Sequence, residues 1–196
     1  MRINNLAFAY IDEKIDEAYI ETFTQKTQHQ ISHLVKTMQE FRNFLKPSTS
    51  TQDFSTLSMI NKTLLLMKDL LLSKQIECHV ICNKDFIIHA NESEFEHIII
   101  NIINNAKDAM IENSVENKRV NITIADSQIH LENPGGLIPE HILPHLFDAN
   151  VSTKKSSGGS GTGLYLSKQI IEKCAGTLHA ENLIEKNRVR FTLTLP

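Results

Sequence analysis

Residues 101–109 read Asn101-Ile-Ile-Asn-Asn105-Ala-Lys-Asp108-Ala109, inside a strongly apolar stretch that predicts a helix over 92–111. On a helix Asn101 and Asn105, four residues apart, project from one face about 5.4 Å from each other. Ile98, Ile99, Ile102, Ile103 and Ala106 hold the opposite face against a sheet. Two amides in line can offer oxygen to a metal and N–H to phosphate oxygens. They also fit a polar stripe on a surface helix, and the stretch alone leaves both readings open.

On either side of this helix the pattern mixes helices and strands. Upstream, Met59–Leu72 is amphipathic, and Glu77–Cys82 and Phe86–Ala90 alternate like strands joined by Asn83-Lys84-Asp85. Downstream, Val120–Ala125 and Gln128–Glu132 form a hairpin. A helix follows at Thr162–Cys174, and strands at Thr177–Asn182 and Arg188–Leu195 end the chain. This order predicts an α+β fold, a two-layer sandwich whose mixed, antiparallel-rich sheet carries its helices on one face.

Glycine is rationed. All 7 glycines lie at or beyond Gly135, six of them in Gly135–Gly136 and Gly158–Gly163. The first pair sits in Glu132-Asn133-Pro134-Gly135-Gly136-Leu137-Ile138-Pro139, a strand-end turn where the backbone can pass close to a flat ligand. The second belongs to Gly159-Ser-Gly161-Thr162-Gly163-Leu164, which opens a helix whose unpaired N–H groups and dipole favour a phosphate. It follows a polar stretch, Asn150–Ser157, that reads as a lid bearing Thr153, Lys154 and Lys155.

Residues 1–46 are expected to be helical, with Ile20, Phe23, Thr27, Ile31, Leu34, Met38, Phe41 and Leu45 forming a heptad-like seam. A shorter first helix and a second one make a hairpin, and two hairpins make a four-helix bundle, so a homodimer is expected. Lys46-Pro47-Ser48-Thr49-Ser50 ends the helix and sets a domain boundary, with residues 1–50 as hairpin and 51–196 as the second domain. The net charge of -3 gives no reason to expect nucleic acid or an anionic membrane as partner. No apolar run approaches the roughly 18 residues of a membrane span. Three cysteines, Cys78, Cys82 and Cys174, suit a reducing cytoplasm better than a disulfide framework.

The asparagine box, the glycine turn, the lid containing Phe147, the glycine-rich helix start and the closing Phe191–Pro196 strand together resemble the histidine-kinase ATPase superfamily. That superfamily includes the gyrase and mismatch-repair ATPases and a heat-shock chaperone. The resemblance covers about residues 53–196, and Gln30–Pro47 looks like the second dimerisation helix of sensor kinases. It implies ATP and Mg2+ as cofactors, protein-histidine kinase activity, and a response-regulator receiver domain as partner. By that resemblance Asn105 coordinates magnesium. Asn101 stands where hydrolytic relatives place a water-activating glutamate, a task an amide cannot perform. Gly159, Gly161, Thr162, Gly163 and Leu164 surround the phosphates, Thr153 and Lys154 end the lid, and Asp108, Asn133, Gly135, Ile138 and Phe147 complete the nucleotide site.

The chain departs from the family pattern at the base. Asn133 replaces an aspartate that accepts the adenine amino hydrogen, and Val189 replaces a threonine. A non-catalytic dimerising scaffold with a degenerate pocket is therefore the alternative, and a water-hydrolysing relative a second one. The opening Met1–Leu6 resembles the sequence just after the phosphoacceptor site, and His29 and His33 lack that site's companions. The expectation is a chain that binds ATP without phosphorylating itself, cytoplasmic in this portion, with membrane attachment of the parent left open.

Overall fold

A computed structural model describes residues 19–28, 31, 51–149 and 161–196. Residues 19–28 are helical, as expected, and Ile20 and Ile31 of the seam are exposed. The remainder of the hairpin, the 46–50 boundary, His29 and His33 lie outside the described residues. No helix among the described residues is long and apolar enough to cross a membrane.

From residue 52 the elements run β1 (Gln52–Ser55), α1 (Thr56–Leu66), α2 (Lys68–Ser73), β2 (Glu77–Cys82), β3 (Ile87–Ala90), α3 (Glu92–Glu112), β4 (Arg119–Ala125) and β5 (Gln128–Asn133). After them come α4 (Gly163–Lys173), β6 (Thr177–Leu183) and β7 (Arg188–Thr194). Five strands make a sheet ordered β2-β4-β5-β7-β6, in which only β2 and β4 run parallel. The alternating residues Ile122 and Ile124 of β4, Ile129 and Leu131 of β5, and Phe191 and Leu193 of β7 are buried. They meet the apolar stripe of α3, in which Phe95, Ile98, Ile99, Ile102, Ile103, Ala106 and Met110 are buried. The expected mixed sheet in a two-layer sandwich is what forms.

Local chemistry sets the helix starts. Asn91 caps α3 by accepting from the Glu94 N–H at 3.1 Å. Ser55 does the same for α1 with the Ser58 N–H at 3.0 Å. The expected single helix over 59–72 instead begins at Thr56 and divides at the buried Met67 into α1 and α2. The strands around Asn83-Lys84-Asp85 belong to different sheets: β2 joins the main sheet, while β3 pairs antiparallel with β1. Asp85 draws the connection away, accepting from the Ser55 hydroxyl at 2.6 Å and the Leu57 N–H at 2.9 Å.

On the sheet face away from the helices, Arg190 of β7 ties three strands together. It donates to Glu132 of β5 at 2.6 and 2.8 Å and to Glu181 of β6 at 3.3 Å. Cys78 and Cys82 lie half-buried on β2. Burial pushes the Cys78 thiol up to about 11, so it stays protonated at neutral pH and is a poor metal ligand. Phe95 is fully buried and meets Phe54 edge-on at 5.7 Å. Phe95→Ala is expected to lower the unfolding free energy by about 3–5 kcal/mol, read from urea denaturation.

Candidate functional site

Helix α4 packs antiparallel against α3. At one end Lys173 lies 3.9 Å from Glu94, and at the other Gly163 meets Asn101. The Asn101 Nδ2 group donates to the Gly163 carbonyl and to the Ser167 hydroxyl, both at 3.3 Å, and Ser167 in turn donates to the Gly163 carbonyl at 2.9 Å. A Cβ on Gly163 would sit 3.5 Å from the Asn101 amide, so the first turn of α4 rests directly on this side chain. Asn101 thus braces two helices through its amide donors, and a carboxylate there could not donate to the Gly163 carbonyl.

Because the helices are antiparallel, one further turn along α3 passes the start of α4. Asn105, half-buried, lies one turn beyond Asn101 on the same face of α3. Gly161 adopts a left-handed φ of 65°, and Thr162 is the N-cap, without turning its side chain onto the first helical turn. The Leu164 side chain packs against the core, leaving its N–H at the helix start.

The second half of the site is a strap, residues 134–139, leaving the end of β5. A Cβ on Gly135 would lie 2.7 Å from the Ala109 Cβ, 2.8 Å from the Asn133 Oδ1 and 3.2 Å from the Met110 nitrogen. Only glycine lets the strap lie this close to α3. Gly136 takes a φ of 89°, the left-handed region. Asn113, the C-cap of α3, donates to the Gly135 carbonyl at 2.7 Å. At the other end Asn182 of β6 makes a reciprocal pair with Ile138: it accepts from the Ile138 N–H at 2.9 Å and donates to the Ile138 carbonyl at 2.8 Å.

Asn113 and Asn182 were not read from the sequence. The first carried a signal, an amide just past a long helix; the second sits in a strand with nothing local to mark it. Asn182→Ala would strand both Ile138 backbone groups. The expected results are a loss of about 1–3 kcal/mol in unfolding free energy and faster hydrogen exchange at the Ile138 amide.

Asn101, Asn105 and Ala109 fall on successive turns of α3 and Asn113 caps its end, so one helix carries contacts to the start of α4 and to the strap. From Asn101 to Ala109 the rise is about 12 Å. Asn133 is buried, its Oδ1 accepting from the Gly135 N–H at 3.0 Å, and Val189 stands opposite it in the β5–β7 register, also buried. Phe147 packs half-buried against the core, and Asp108 pairs with Lys107 at 3.0 Å. Thr153, Lys154 and Gly159 lie outside the described residues.

The family described as histidine kinase-, DNA gyrase B-, and HSP90-like ATPase matches residues 90–196. The probable C4-dicarboxylate sensor kinase of Bacillus subtilis is 34% identical over 104 residues, which are 50% of this chain and 19% of that protein. Sensor protein ChvG of Agrobacterium fabrum is 29% identical over 123 residues, 57% of this chain and 20% of that one. The chain thus spans about a fifth of the length of these curated relatives. Among solved structures, the catalytic domain of histidine kinase ThkA is similar with a TM-score of 0.63 at 23% identity, over 76% of this chain and 98% of that chain. Histidine kinase ThkA in complex with the response regulator protein TrrA is similar with a TM-score of 0.64 at 20% identity, over 99% of this chain and 56% of that one. At these identities the two structures speak for the fold.

Proposed function

The chain belongs to the histidine kinase-, DNA gyrase B-, and HSP90-like ATPase family, and from that premise we propose that it is the ATP-binding catalytic part of a two-component sensor histidine kinase. In this reading residues 51–196 are the catalytic domain and residues 1–50 a helical hairpin that dimerises. The γ-phosphate of Mg-ATP passes to a stalk histidine and then to an aspartate of a response-regulator receiver domain. The observation that supports the reading is Asn101 seated on Gly163, at the glycine-rich start of α4 and one helical turn before Asn105.

The chain's own groups divide the work. Backbone N–H groups at the start of α4 hold phosphate oxygens. Asn105 would hold magnesium through its amide oxygen. The donor chemistry fits, since an amide oxygen is a hard ligand and magnesium on phosphates keeps several waters and takes few protein ligands. When bound, the ion spreads the charge of the transferring phosphoryl group. At position 101 an amide already donating to Gly163 and Ser167 cannot take a proton from water. That supports transfer to an imidazole nitrogen, which attacks in line as ADP leaves.

Calorimetry of the chain with magnesium and a non-hydrolysable ATP analogue tests the site, and labelling of the complete protein with γ-labelled ATP tests the transfer. The expected product is an acid-labile, base-stable phosphate. Absence of binding at millimolar nucleotide would leave the dimerising scaffold, which Asn133 and Val189 favour. Steady phosphate release lost in Asn105→Ala would instead support a hydrolase.

A further inference from the structure

Asn133 is the last residue of β5, on the buried face of the sheet and 4% exposed. The Gly135 N–H, 3.0 Å away, can only donate, so the atom it faces must be the Asn133 oxygen. That bond fixes which way the amide is turned. Its Nδ2 group points the other way, makes no hydrogen bond among the described residues and is not among the buried atoms left unpaired there, so it is not sealed off where the strap leaves β5. The neighbouring Val189, 3% exposed, offers neither donor nor acceptor.

A carboxylate at position 133 would present acceptors alone. It would select a base that donates hydrogen from C6 and repel one carrying oxygen there. The amide carries both an acceptor and donors. Its oxygen keeps one lone pair after the bond from Gly135, and its two N–H donors can meet a carbonyl or a ring nitrogen. Resting on the nucleotide-site reading above, we propose that this pocket discriminates weakly at purine C6 and takes 6-oxopurine nucleoside triphosphates alongside 6-aminopurine ones.

Inosine triphosphate is the probe of choice, because it differs from ATP only at C6 and the adjoining ring nitrogen and adds no 2-amino group. The full chain would be titrated calorimetrically, with magnesium, against the β,γ-imido analogues of both nucleotides. Their dissociation constants are expected to agree within about tenfold, and Asn133→Asp to widen the ratio at least about tenfold in favour of adenine. A preference for adenine beyond about tenfold in the unaltered chain overturns the proposal, as does an unchanged ratio in a folded Asn133→Asp variant. Binding of the adenine analogue alone sinks this inference while the ATP site stands. Binding of neither sinks both. The ratio in the unaltered chain decides the matter even where the variant does not fold.

Discussion

Asn105→Ala is expected to weaken binding of magnesium-nucleotide by roughly ten- to a hundredfold, the size of one lost bond to a charged group. Most of the fold's stability should remain. The packing of α3 rests on Ile98, Ile99, Ile102, Ile103 and Ala106, all buried on the other side of the helix, and alanine is the best helix former. Titrations with and without magnesium separate the metal from the rest of the site. In the unaltered chain magnesium should strengthen binding, and in the variant that increment should disappear. Asn101→Ala should behave differently. It removes donors from the Gly163 carbonyl and the Ser167 hydroxyl, so about 1 kcal/mol of stability goes with it. A variant at Asn105 whose binding keeps its full magnesium dependence would remove the metal assignment.

The contrast between these two asparagines shows what was legible in the sequence. Their spacing, their helix and the apolar stripe behind them follow from a 3.6-residue period that any reader can count. The hairpin of β4 and β5 and the glycine-rich start of α4 were equally plain. That Asn101 would spend its donors on another helix was not, because Gly163 and Ser167 are 62 and 66 residues away. Separation in sequence likewise hid the parallel pairing of β2 with β4 and the partner of β3. Strand β1 has one buried residue, Phe54, and no alternation long enough to announce it. It forms because Ile88 lies across from Phe54 and Asp85 ties the connection to Ser55. Of the strap, the glycines could be read but the two asparagines that clamp it could not, since an amide beside a helix end or in a strand is common.

Gly135→Ala is expected to have the largest effect on the site. Its φ is not left-handed, so the cost is one of space. The added Cβ would stand 2.7 Å from the Cβ of Ala109 and 2.8 Å from the Asn133 oxygen, with the Met110 nitrogen 3.2 Å away on the backbone of α3. Neither side can yield cheaply, for Ala106 and Met110 anchor this part of α3 in the core and Asn133 is held by the Gly135 N–H itself. The strap must lift from the helix, which lengthens the bond from Asn113 to the Gly135 carbonyl, now 2.7 Å, and frees the Asn133 amide to turn. Overpacking of this kind costs about 1–3 kcal/mol, and nucleotide affinity should fall by a hundredfold or more, on the order of two lost hydrogen bonds. Gly136→Ala supplies the comparison. Its φ of 89° strains any side chain, but the new Cβ would meet only the tip of Asn113, at 3.2 Å, so the melting temperature should drop while more of the binding survives. The double variant Ala109→Gly with Gly135→Ala removes the closest contact, at a helix cost of about 1 kcal/mol, and should recover part of the affinity. Calorimetry beside thermal melts reads all three, and a Gly135→Ala protein that binds and melts like the unaltered chain would mean the strap does not lie against α3.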